Sequence, residues 1–128
     1  MVRRTTRAVG FGAERFAEQH LTGSGLCAIE RNFYCRFGEI DLIMLDDEQL
    51  VFVEVRFRSA RRRVAARFSV DAQKRRKIIK TAAMFIASQP QHANRVMRFD
   101  IVGVDQNSDG ARKLTWIQDA FRPHDSSL

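Results

Sequence analysis

Proline and glycine are scarce, two and seven in 128 residues, which argues against long disordered stretches. Cysteine is scarcer still. Cys27 and Cys35 lie eight apart with no second pair and no neighbouring histidine cluster, a spacing that fits no zinc motif. They read as two reduced thiols of a cytoplasmic protein, with a single disulfide as the alternative. No apolar run approaches the roughly 18 residues of a membrane span. The basic start Met1–Arg7 is not followed by the apolar stretch of a signal peptide. His20, His92 and His124 form no ligand spacing and read as surface residues. No serine or cysteine sits in a nucleophile motif. Tyr34 and Trp116 are the single representatives of their kinds and read as core or edge packing rather than a base-stacking platform.

What the chain does have is apolar bulk and basic charge. Hydrophobic residues make up 45%, including ten phenylalanines, enough for one core, so residues 1–128 read as a single domain with loose ends at about 1–6 and 124–128. The net charge of +7 is local. Residues 56–80 hold eleven basic side chains against one acid, Asp71, so this segment nets +10 and the rest of the chain −3. Arginine outnumbers lysine 18 to 4. A cationic patch rich in guanidinium forks suits a polyanion such as nucleic acid. The alternative is a solvated charge run.

Apolar periodicity and breakers give an order of elements. A helix spans about 7–22 and ends at Gly23-Ser24-Gly25. Strands follow at 26–33, 38–45 and 49–57, then an arginine-rich connection at 58–68. Ser69 or Asp71 caps a second helix that runs to about Ser88, where Gln89-Pro90 stops it. Strands at 98–104 and 114–117 flank a turn at 106–110. The order helix, three strands, helix, two strands predicts an α/β sandwich with a mixed central sheet of about five strands flanked by helices.

The second and third strands carry acids in apolar surroundings. Folded around Asp46-Asp47-Glu48-Gln49, facing residue numbers sum to 95, so Asp41 is expected opposite Glu54 and Glu39 opposite Arg56. Ile40, Leu42, Met44, Val51, Val53 and Val55 then form one apolar face, while Ile43 and Phe52 share the other with the charged residues. Opposed carboxylates repel at the roughly 5 Å of a cross-strand pair. Desolvated, they must be paired, protonated or bound to a cation. Three readings stay open: a site for a hard divalent metal, an ion-pair cluster with Arg56 and its neighbours, or a solvent-facing hairpin.

Gly38-Glu39-Ile40-Asp41-Leu42-Ile43 followed by Phe52-Val53-Glu54-Val55-Arg56 resembles the core of PD-(D/E)xK, restriction-endonuclease-like nuclease domains. Over about residues 8–121 the chain is similar to the bacterial YraN-type family, related to Holliday-junction resolvases. Gly10-x-Gly12-x-Glu14, Arg31-Asn32, Lys74, Arg98-Phe99-Asp100-Ile101-Val102 and Ala120-Phe121 carry that likeness. The resemblance implies a restriction-endonuclease-like fold with three acids, Glu14, Asp41 and Glu54, around one Mg²⁺ or Mn²⁺. Asp41 and Glu54 would be direct ligands and the Val55 carbonyl a third. Glu39 would sit at the resolvase-like position and pair with Arg56. Arg56 stands where the superfamily has its catalytic lysine. Arginine stays protonated, so it keeps the electrostatic role and loses the base role. Lys74, on the Ile78 side of the second helix, would substitute, or else contact phosphate.

The expected function is nucleic-acid binding on a nuclease fold. Its enzymatic form is a Mg²⁺-dependent, structure-selective DNA endonuclease acting on branched or duplex DNA. Arg58, Arg61, Arg62, Arg63, Arg67, Arg75 and Arg76 would grip the substrate. Resolvase relatives act as two-fold dimers, which implies a homodimer. The alternatives are a non-catalytic DNA- or RNA-binding module and an RNA- or ribosome-associated adaptor.

Overall fold

The computed structural model describes residues 2–59 and 70–123. Helix α1 spans Val2–Gly23 and leads into strands β1 (Cys27–Cys35), β2 (Gly38–Asp46) and β3 (Gln49–Ser59). Helix α2 (Ala72–Ser88) crosses to β4 (Met97–Gln106), which turns back into β5 (Arg112–Phe121). The five strands form one sheet in sequence order, with β3 and β4 parallel and every other neighbouring pair antiparallel. This is the expected α/β arrangement, a mixed five-stranded sheet flanked by helices in the order α-β-β-β-α-β-β. A parallel β3–β4 pair needs a crossover, and α2 provides it. Compared with the expected bounds, α1 starts five residues earlier, and β5 extends in both directions beyond 114–117.

The sheet is covered on both faces. Ala13, Ala17 and Leu21 of α1 pack on Leu42, Met44, Val51, Val53, Val102 and Val104. Ile78, Ala82 and Phe85 of α2 pack on Ile40, Ile43, Phe52, Phe99 and Ile101. Phenylalanine supplies the bulk of the second layer: Phe52 and Phe99 stack at 5.3 Å, and Phe33 meets Phe85 edge-on at 5.3 Å. Each fully buried side chain of this size contributes about 1.5–3 kcal/mol. Asp71 caps α2 by accepting the Lys74 backbone N–H at 2.8 Å, one of the two caps expected from sequence.

Two sequence expectations change here. Ile40 joins the α2-side core, whereas Leu42 joins the α1 side, so the alternation of β2 breaks at Asp41. Beside this break, between the pairs Arg31–Leu42 and Phe33–Ile40, Asn32 of β1 adopts a left-handed φ of 52°. Asparagine tolerates that conformation better than most residues. As a result Arg31 and Asn32 both reach α1, bonding Glu18 and Glu14. His92 is buried rather than a surface residue. It stacks on Phe85 at 6.0 Å and its Nδ1 accepts Arg95 Nε at 3.0 Å.

Candidate active site at the open end of the β2–β3 hairpin

The β2–β3 register follows the sum of 95 from Asp46 opposite Gln49 to Leu42 opposite Val53. There the pairing stops. Asp41 does not continue the ladder against Glu54. Its carboxylate reaches across and accepts the Val55 N–H at 2.7 Å. A side-chain oxygen thus replaces a backbone acceptor, and the strand ends part around the acid. The β2–β3 ladder ends before Glu39 and Arg56, so their expected pairing is not formed; Glu39 pairs across the other edge of β2 with Tyr34 of β1.

Glu54 remains close to Asp41 and is buried, with 7% of its side chain exposed. It has two cationic partners. Arg56 Nη1 lies 3.4 Å from its Oε2, along the same strand, and Lys74 Nζ lies 3.7 Å from the same oxygen, from the first turn of α2. Asp41 is pushed up to about 8, first by burial, then by the Glu54 charge, with Glu14 and Glu39 adding to it; the Val55 N–H opposes the rise. The fold therefore collects Glu14, Glu39, Asp41 and Glu54 within electrostatic reach of one another. Near neutral pH the Asp41 carboxyl holds its proton for want of a compensating cation.

Glu14 is oriented from outside: Asn32 Nδ2 donates to its Oε1 at 2.8 Å. Glu14, Arg15, Glu18, Arg31, Asn32 and Leu42 line a pocket on the α1 side. Sequence reasoning noted Asn32 only as part of a family motif. Its role as the residue that holds Glu14 depends on the left-handed turn in β1, and no hydrophobic pattern reports that.

Among the described residues no three histidine, cysteine, aspartate or glutamate side chains converge to hold a metal. Two carboxylates still suit Mg²⁺, which keeps several waters and takes substrate phosphate oxygens as ligands. Asp41 and Glu54 are neighbouring carboxylates, the hard oxygen donors such an ion takes, and so they fit it in donor type.

The expected phosphate-gripping residues fare differently. Arg58 makes a two-pronged ion pair with Asp105 on β4, at 2.9 and 3.2 Å, and so ties the parallel strands together. Arg75 folds back to donate to the Val70 carbonyl at 3.2 Å. Arg76 is exposed. Arg61, Arg62, Arg63 and Arg67 lie outside the described residues. Cys27 and Cys35 are free thiols. Among the described residues no helix is long and apolar enough to cross a membrane.

Beyond the site, Asp100 is almost wholly buried. It accepts bonds from Arg98, from Trp116 Nε1 at 2.9 Å and from the Asp119 backbone N–H at 2.9 Å. Arg98 continues to Asp46 at 2.9 Å and Gln49 at 2.8 Å. The Arg98-Phe99-Asp100 motif is a structural clamp at the turn end of the sheet, and Trp116 belongs to it.

Comparison with known proteins is consistent with this architecture. The model of the uncharacterised protein family UPF0102 matches residues 13–104. A UPF0102 protein of Alcanivorax borkumensis is 48% identical over 92% of this chain and 94% of its own length. One from Pseudomonas aeruginosa is 45% identical over 93% and 96%, and one from Stutzerimonas stutzeri 43% over 91% and 96%. With the family model covering most of the chain and relatives matched nearly end to end, this protein belongs to the UPF0102 family, the YraN-type family that its motifs resemble.

Proposed function

We propose that this protein is a metal-dependent nuclease that hydrolyses phosphodiester bonds in branched or duplex DNA. The observation that carries the reading is Lys74 Nζ at 3.7 Å from Glu54, beside Asp41. It provides, from α2, the ammonium that β3 lacks because Arg56 occupies the strand position. Asp41 and Glu54 would hold Mg²⁺, with the Val55 carbonyl, water and phosphate as further ligands. When bound, the ion would polarise the phosphate and acidify a bound water. The Lys74 ammonium, paired with Glu54, would donate a hydrogen bond to the attacking water and offset charge growing on the phosphate, while the water's proton would pass to a phosphate oxygen or to solvent. Arg56, half-exposed and permanently charged, stabilises the charge that grows on the phosphate oxygens. The exposed Arg76 on α2 contacts the DNA backbone.

The test is incubation with nicked, flapped and four-way DNA in Mg²⁺ or Mn²⁺. Cleavage is expected from the parent and a loss of 100-fold or more from Asp41→Ala and Lys74→Met, the scale of a lost group that stabilises transition-state charge. A parent that never cuts, or an Asp41→Ala variant that cuts as well as the parent, overturns the assignment.

One observation favours a second reading, a non-catalytic binding module. Arg56 and Lys74 together already compensate Glu54 without any metal. That reading predicts salt-dependent DNA binding that is indifferent to both EDTA and Asp41→Ala.

A further inference from the structure

The β1–β2 turn lies at the same end of the sheet as the carboxylates, with Phe37 in the turn and Phe33 and Tyr34 just before it in β1. Phe33 and Cys35 turn toward α2, where Phe33 meets Phe85 and Cys35 Sγ meets Thr81 Oγ1. Tyr34, between them, points to the opposite face, the side on which Asn32 holds Glu14. There it is 77% exposed, the most exposed of the large apolar side chains among the described residues. Its cross-strand partner is Glu39, whose charge is felt by Asp41, so Tyr34 stands at the rim of the carboxylate site.

The other side of the turn is cationic. Arg36 and Lys80 both lie over the Phe37 ring, at 4.9 and 5.6 Å from its centre. The turn is pressed on α2: a Cβ at Gly38 would lie 3.4 Å from Thr81 Oγ1 and 3.6 Å from Lys77 Cβ. Lys74, Lys77 and Lys80 follow each other at three-residue steps, about 4.5 Å of rise apiece. They run from Glu54, past Gly38, to Phe37.

An exposed ring on one face of the turn and, on the other face, a lysine track that starts at the carboxylates have the chemistry of a holder for a single strand that wraps the turn: stacking for a base, ammonium groups for its phosphates. We propose that the β1–β2 turn captures an unpaired nucleobase on Tyr34 while Arg36, Lys77 and Lys80 carry the adjoining phosphates. This makes the protein selective for strand junctions over blunt duplex. The inference deepens the nuclease reading by naming its substrate feature.

The experiment uses the full chain in EDTA, so that binding is read without cleavage. The probes are a duplex with a single-stranded flap, carrying 2-aminopurine at the first unpaired position, and a blunt duplex of equal length. The parent is expected to bind the flap more tightly and to quench the 2-aminopurine by stacking. Tyr34→Ala is expected to lose about tenfold in flap affinity together with the quenching, and to leave blunt-duplex binding within twofold. Tyr34→Phe keeps both. Lys80→Ala weakens flap binding and flattens its salt dependence. Equal affinity of the parent for both probes, or an equal loss on both in Tyr34→Ala, overturns base capture. Because no step here needs hydrolysis, failure of base capture leaves the nuclease assignment intact, and absence of cleavage leaves base capture intact.

Discussion

Asp41 is the residue at which stability and chemistry pull apart. Its carboxyl sits at about 8 in the fold, against roughly 4 in an unfolded chain. Between those values the folded state keeps a proton that the unfolded state has released. This group's contribution to stability therefore declines as pH rises from about 4 to about 8. Asp41→Asn removes the titration and keeps an oxygen for the Val55 N–H. In EDTA the variant is expected to melt higher than the parent near pH 8, with the difference closing near pH 5; thermal melts across that range check it. Arg98 poses the opposite case. Its guanidinium serves Asp100, Asp46 and Gln49 at once. Arg98→Met leaves the Asp100 charge buried beside only neutral donors, so a loss of about 3–5 kcal/mol is expected in urea unfolding. Neither role was readable from residue type. Asp41 was singled out in the sequence because an acid in an apolar strand is anomalous. Arg98 and Asp100 sit two apart in a strand, as many solvated pairs do, and only the packing of β5 over them makes the pair a clamp.

At the scale of elements, the hairpin was legible and its end was not. The alternating apolar residues and a turn with Asp47 at φ 54° set the register from Asp46–Gln49 to Leu42–Val53. Beyond it the Asp41 carboxylate takes over an amide, an event that pairing arithmetic does not contain. The β1–β2 turn depends on Gly38, whose φ of +153° L side chains rarely adopt. Gly38→Ala is therefore expected to cost about 1–3 kcal/mol through backbone strain. Gly23→Ala, where an added Cβ meets nothing within 4 Å, serves as the control and should stay within about 0.5 kcal/mol. Denaturant midpoints of the two variants compare the positions directly. Helix α2 was placed nearly to the residue, because Asp71 and Gln89-Pro90 are strong local signals. That its first turn delivers Lys74 to Glu54 follows from the crossover, which decides where along the sheet the helix begins.

Across the whole molecule, the described cations of the +10 segment divide into structural and exposed ones. Arg58→Met is expected to cost about 1–3 kcal/mol by removing the two-pronged ion pair from Asp105, as denaturation measures, while changing the salt slope of DNA binding little. Arg76→Ala is expected to leave the midpoint unchanged and to lower that slope by about one. Binding isotherms at several salt concentrations, set beside unfolding curves, separate the two roles. The order of elements, the hairpin register up to Leu42–Val53, the stop of α2 at Gln89-Pro90 and the acids to watch were determined by the sequence itself, because periodicity, turn residues and misplaced charge are local properties. The tertiary structure alone decided which cation meets which acid, that Glu14 is held by Asn32, that Arg58 is a strut and that Tyr34 stands free at the rim. Those outcomes depend on where strands 10 to 50 residues apart come together, and on the few positions where an asparagine or a carboxylate interrupts the pattern that local chemistry sets.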